Sequence, residues 1–298
     1  MPQGGFKHDV RGIRRDGEDD RQNPPVPIFL LFKDRVSVLL ETIRSLHRHI
    51  RTPFEIVIFD DHSTYAPAVN FLNRMAEAGV HVYRNKKKWQ QFDDVTSVIS
   101  DFIIEYMQTS SLSKYFVLTD PDCALDSAPG DILLVFQAAL KSMNLRTIGS
   151  AIRWDDWPQP WPRYEQEFMH ATPKVFQYPS PNNRTYYYIN APVDTTFAMY
   201  PWNGSTKAGT VLVGYNSRRK DLTFRNDGKD EMARMLPPLG IRHLDFYFEG
   251  DQLPQDYRYY LKQVRPASCK KNANVASAHA KYIFTNCTTV NHMFHVDV

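Results

Sequence analysis

Between Val26 and Ala151 the chain alternates short apolar, β-rich runs with longer segments of helical period, and this alternation restricts the fold more than any other feature. Val26-Pro27-Ile28-Phe29-Leu30-Leu31-Phe32 is apolar throughout, as a strand buried on both faces must be. Val36 to Ile50 follows, with Val36, Leu39, Leu40, Ile43 and Leu46 spaced for one face of a helix. Phe54 to Phe59 predicts a second strand ending in Asp60-Asp61, Ala66 to Ala78 a helix closed by Gly79, and Val80 to Tyr83 a third strand. Phe92 to Met107 reads as a helix, Tyr115 to Thr119 as a fourth strand, Asp131 to Met143 as a helix and Arg146 to Ala151 as a short strand. Strands separated by helices of about ten residues or more form βαβ units. The expected fold class is therefore α/β, a Rossmann-like αβα sandwich around a mostly parallel central sheet. Such sheets hold ligands beyond the carboxyl ends of their strands.

After Ala151 the regularity breaks. Trp154 to Pro162 is an aromatic, Pro-rich loop, while Asp194 to Tyr200 and Thr210 to Tyr215 look like strands and Asp256 to Val264 like a helix. Residues 1–25 are polar and aperiodic and are expected to form a flexible leader, residues 26–264 the folded domain, and residues 265–298 a C-terminal extension packed on it or partly flexible. Acids and bases are mixed at a net charge of +3, which argues against a nucleic-acid binder with its clustered basic footprint. Three cysteines without a CxxC pair suit reduced thiols. With no apolar run of membrane-spanning length and no signal-peptide core, a cytoplasmic location is expected, without a transmembrane segment.

Asp120-Pro121-Asp122 follows the fourth strand directly. Two carboxylates at i and i+2, held by a Pro turn, can face one cleft and suit a hard divalent cation that keeps substrate phosphate as a further ligand. The competing use of the same residues is simple turn initiation. Asp60-Asp61 ends the second strand, where a carboxylate can accept from a ring N–H or ribose hydroxyls. Ser63-Thr64 suits the N-cap of the helix from Ala66 better than those acids do.

The spellings YFVLTDPDCAL, FEIVIFDDHST and PIFLLFKDRVSVLLETIRSL resemble GT-A fold glycosyltransferases of the family 2-like type, the first carrying their DXD motif. The later segments IRWDDWP, APVDTTFAMY and IRHLDFYFEGDQLP resemble a bacterial and large-DNA-virus subset of that family. The resemblance implies Mn²⁺ or Mg²⁺ on Asp120 and Asp122, with His243 as a third metal ligand. It implies a nucleotide-sugar donor, UDP by analogy and UDP-xylose among the candidates, a glycan acceptor (oligosaccharide or glycoprotein) and inversion. Lys33, Arg35, Asp60, Asp61, Arg84, Lys86 and Arg242 are the expected donor contacts besides the DXD acids. An inverting transfer needs a carboxylate base at the acceptor hydroxyl, and the candidates rank Asp194, Asp251, Asp156. Trp154, Asp155, Trp157 and Trp161 are the expected acceptor contacts.

Other classes fit the residues less well. A dehalogenase-like phosphatase wants its Asp-x-Asp on the first strand, and a sugar nucleotidyltransferase wants a Gly-rich loop where Phe32-Lys33-Asp34-Arg35 stands. No P-loop and no GxSxG elbow occurs. A non-catalytic nucleotide- or carbohydrate-binding protein remains the alternative from a different class.

Overall fold

The structure, a computed structural model, describes residues 24–85, 92–153, 174–191, 193, 196–202, 204, 232–248 and 253–263, with backbone alone for 92–97 and 246. Its elements in chain order are β1 Val26–Phe32, α1 Val36–His49, β2 Phe54–Asp60, α2 Ala66–Glu77, β3 His81–Arg84, α3 Phe92–Thr109, β4 Tyr115–Thr119 and β5 Cys123–Ala124. There follow α4 Ile132–Ser142, β6 Thr147–Ser150, β7 Val175–Pro179, β8 Thr185–Ile189, β9 Ala198–Pro201, β10 Met232–Met235, β11 Arg242–His243, a 3-10 turn at Leu244–Tyr247, and α5 Gln255–Gln263.

Nine strands form one sheet in the order β3-β2-β1-β4-β9-β6-β10-β8-β7. β3, β2, β1 and β4 run parallel, as do β6 and β10, whereas β9 and β8 run against their neighbours. The sheet is mostly parallel, as the βαβ alternation requires. β1 shows why its sequence is apolar at every position. Phe29 and Leu31 pack with Phe102 and Tyr106 of α3, while Leu30 and Phe32 pack with Leu39 of α1 and Leu72 of α2. Side chains alternate across a strand, so covering both faces leaves no polar position.

Two capping arrangements draw on distant residues. Asp34, at φ 58°, turns its carboxylate onto the N–H groups of Thr64 and Tyr65 at the start of α2, at 2.7 and 2.8 Å. Asp is among the few residues other than Gly that adopt this left-handed backbone routinely. The cap expected from Ser63-Thr64 is therefore supplied from the first loop. Asp256 of α5 likewise accepts from the Ser37 N–H at 2.6 Å, satisfying an unpaired donor of α1's first turn.

The far half differs from the sequence reading in three places. The strand expected from Asp194 begins at Ala198, and β10 and the β7–β8 hairpin were not anticipated. Met232–Met235 is too short to show a period, and it is buried between β6 and β8 only by long-range pairing. The segment Thr210 to Tyr215 and nearly all of 1–25 and 265–298 lie outside the described residues. No helix among the described residues is long and apolar enough to cross a membrane.

Candidate metal and nucleotide site

The carboxyl ends of β1, β2 and β4 lie side by side, because β1 pairs in parallel with both of the others. Lys33-Asp34-Arg35 therefore emerges between Asp60-Asp61 and Asp120-Pro121-Asp122. A crevice at this edge is lined by Lys33, Arg35, Phe59, Asp61, Asp120, Pro121 and Tyr260. It brings together four of the residues expected at the donor.

At the end of β2 both acids have partners. Asp60 accepts from the Ser63 N–H at 3.1 Å, and Asp61 pairs with the Lys33 ammonium at 3.0 Å and accepts from the Asn85 amide at 3.4 Å. Burial pushes both carboxyls above their ordinary range, opposed at Asp61 chiefly by Lys33. Arg84 bonds the Asn73 side chain at 2.7 Å on α2.

The end of β4 is deeper. β5 and β11 form a two-stranded ribbon in which His243 stands opposite Cys123. Leu244 N–H donates to the Asp122 carbonyl at 2.7 Å, locking the ribbon to the turn. His243 Nε2 consequently lies 3.7 Å from Asp122 Oδ1. Arg35, only 5 % exposed, places Nη1 at 2.7 Å from Asp122 Oδ2 and also 2.7 Å from Asp245 Oδ2. Its guanidinium lies 4.6 Å from the centre of the Tyr260 ring, and the Tyr257 hydroxyl donates to Asp245 Oδ2 at 2.7 Å. Thus α5 closes the back of the group.

The electrostatics divide the two acids. Burial drives Asp122 upward, but His243 and Arg35 outweigh it and hold the carboxyl well below the usual carboxylate range. Burial and the neighbouring Asp122 push Asp245 well above that range despite Arg35. Buried charge tolerates this density only with compensating cations.

A divalent cation fits these residues. Asp122 Oδ1 and Asp245 Oδ1 are buried without a hydrogen-bond partner among the described residues. Asp122, His243 and Asp245 each offer a ligand atom within 4.8 Å of the others, as do Asp120, Asp122 and Cys123. Two ligands at about 2.0–2.6 Å from one ion are spaced compatibly with the 3.7 Å between Asp122 Oδ1 and His243 Nε2. Oxygen with imidazole suits Mn²⁺ better than a soft-metal site would.

Arg242 is not part of this group. Its Nε lies 2.8 Å from Asp126, and its guanidinium covers Tyr247 at 4.6 Å. Asp194, Asp251, Asp156, Trp154, Asp155, Trp157, Trp161 and Lys86 lie outside the described residues. Asp245 and Tyr257 were missed by the sequence reading. The usable signal was the closeness of Asp245 to His243 in sequence, which the 3-10 turn at Leu244–Tyr247 converts into closeness in space.

No family model matches the sequence, and no curated protein matches it. Among solved structures the chain is similar to the mannosyltransferase PcManGT from Pyrobaculum calidifontis in complex with GDP-Man and Mn²⁺. Identity there is 14 % and TM-score 0.33, over 46 % of this chain and 38 % of that one. It is similar to S. aureus TarS 1–349 at 10 % identity and TM-score 0.42, over 90 % and 71 %. The third is glucosyl-3-phosphoglycerate synthase from Mycobacterium tuberculosis in complex with Mn²⁺ and uridine-diphosphate-glucose, at 13 % and TM-score 0.30, over 47 % and 50 %.

Proposed function

We propose that the chain is a metal-dependent glycosyltransferase of GT-A type that moves a sugar from a UDP-sugar, UDP-xylose among the candidates, to a glycan hydroxyl with inversion. The observation that carries this reading is the buried Asp122 Oδ1, which has no hydrogen-bond partner among the described residues and lies 3.7 Å from His243 Nε2, with Asp120 lining the crevice that also holds Lys33 and Asp61. A dehalogenase-like phosphatase would carry its Asp-x-Asp at β1, and that strand ends at Phe32 with Lys33-Asp34-Arg35 after it.

In this reading Asp122 and His243, with Asp120 from the same turn, hold Mn²⁺ or Mg²⁺; Asp122 is the residue common to the cluster with Asp120 and the cluster with His243. Such an ion, when bound, neutralises charge on the departing diphosphate. Lys33 adds a positive charge on the same side, and Asp61 accepts from the nucleoside. Asp194 is the proposed base, taking the proton of the acceptor hydroxyl as that oxygen attacks the anomeric carbon and the bond to UDP breaks, with Asp251 and then Asp156 next in rank. Trp154, Asp155, Trp157 and Trp161 are proposed to hold the acceptor.

The test is release of UDP and free sugar from a UDP-sugar panel with Mn²⁺, with EDTA, and with Asp122→Asn. Turnover that needs Mn²⁺ and falls about a hundredfold or more in Asp122→Asn supports the assignment. A protein that binds UDP and releases no sugar under any condition is the non-catalytic binder instead.

A further inference from the structure

We propose that Asp245 is a further ligand of the cation held by Asp122 and His243, and that Arg35 and Tyr257 are the positioning residues that aim its carboxylate. The inference rests on the metal site proposed above and extends it by a side chain from outside the Asp-Pro-Asp turn.

Three observations carry it. Arg35 Nη1 and the Tyr257 hydroxyl both bond the same oxygen, Asp245 Oδ2, each at 2.7 Å. A carboxylate gripped twice on one oxygen is fixed in orientation, and its other oxygen must point elsewhere. That oxygen, Oδ1, is buried and has no hydrogen-bond partner among the described residues. Arg35 treats Asp122 in the same way, bonding Oδ2 and leaving Oδ1, 3.7 Å from His243 Nε2, without a hydrogen-bond partner among the described residues. Two carboxylates thus share one guanidinium through matching oxygens, and each keeps one oxygen for another cation.

The rule that buried acceptors find donors makes this arrangement expensive unless something fills it. A hydrogen-bond donor from the protein would suffice for one oxygen. Two such oxygens, together with the imidazole of His243, within 4.8 Å of one another describe a coordination set. Arg35 then does what outer partners of metal ligands do, orienting them without touching the ion.

The experiment measures Mn²⁺ alone, without nucleotide, by the loss of the free-ion electron paramagnetic resonance signal on the full chain. Asp245→Asn keeps shape and can still accept from Tyr257 and Arg35, and about a tenfold or greater loss of Mn²⁺ affinity is expected. Tyr257→Phe removes one hydroxyl and should weaken Mn²⁺ severalfold, which keeps the test alive if Asp245→Asn fails to fold. Should Asp120→Asn and Asp122→Asn lose Mn²⁺ while Asp245→Asn and Tyr257→Phe bind like wild type, the inference is overturned and the metal-dependent reading survives. If the wild-type chain binds no Mn²⁺, both fall together.

Discussion

The ends of β2 and β4 flank β1 and both carry acids, but they are completed in different ways. At β2 the partners are near: Asp60 is met by Ser63 three residues on, and Asp61 by Lys33 and Asn85 from adjoining strand ends. Both oxygens of Asp61 are occupied. At β4 the partners are remote: Arg35 reaches Asp122 across 87 positions and Asp245 across 210. There Asp122 and Asp245 each keep one oxygen without a hydrogen-bond partner among the described residues. The satisfied pair is suited to recognising a neutral group by hydrogen bonds, and the unsatisfied one to gripping a cation. The difference lies in what the rest of the fold leaves over.

The sharpest way to break this contrast is Arg35→Met, which leaves two buried acids without their shared cation. Unpairing a buried ion costs about 3–5 kcal/mol, so metal-free protein should melt roughly 10 °C lower. Adding Asp245→Asn should restore a good part of the loss, because it removes the repelling charge. Unchanged melting of the single variant would show that the β4 end does not depend on its remote partner.

A smaller effect is expected at β2. Asp61→Asn should weaken UDP binding about tenfold in a calorimetric titration, by loss of a charged acceptor. Mn²⁺ binding measured without nucleotide should not change. A loss of Mn²⁺ affinity there would mean that the two strand ends act as one site. The smallest effect belongs to the loop between them. Asp34→Ala removes the acceptor for Thr64 and Tyr65 N–H groups and should cost about 1 kcal/mol in urea unfolding, with Asp34→Asn losing less. Equal losses in the two variants would argue that the backbone at φ 58°, not the cap, sets the price.

The legibility of the chain followed the same division. β1 to β4 and α1 to α4 were readable because burial on one or both faces writes its period into neighbouring residues, as in Val26–Phe32. The hairpin β7–β8 was not, since Tyr186, Tyr187 and Tyr188 carry similar side chains whether buried or exposed. β10 was not either, being four residues whose burial comes from pairing with β6 and β8. Of the site, Asp120, Asp122 and His243 were singled out in advance. Arg35 was singled out too, but as a donor contact, whereas the fold presents it to two acids.

By itself the sequence determined that acids would stand at the ends of parallel strands, because strand period, turn residues and chain order are local properties. Only the tertiary structure decided which charges would meet. A buried carboxylate takes the nearest cation in space, and the pairing of β11 with β5 and the packing of α5 against α1 put His243, Asp245 and Tyr257 around Asp122 and Arg35. No local pattern encodes such compensation, since its energy depends on distance through the folded interior and not on separation along the chain.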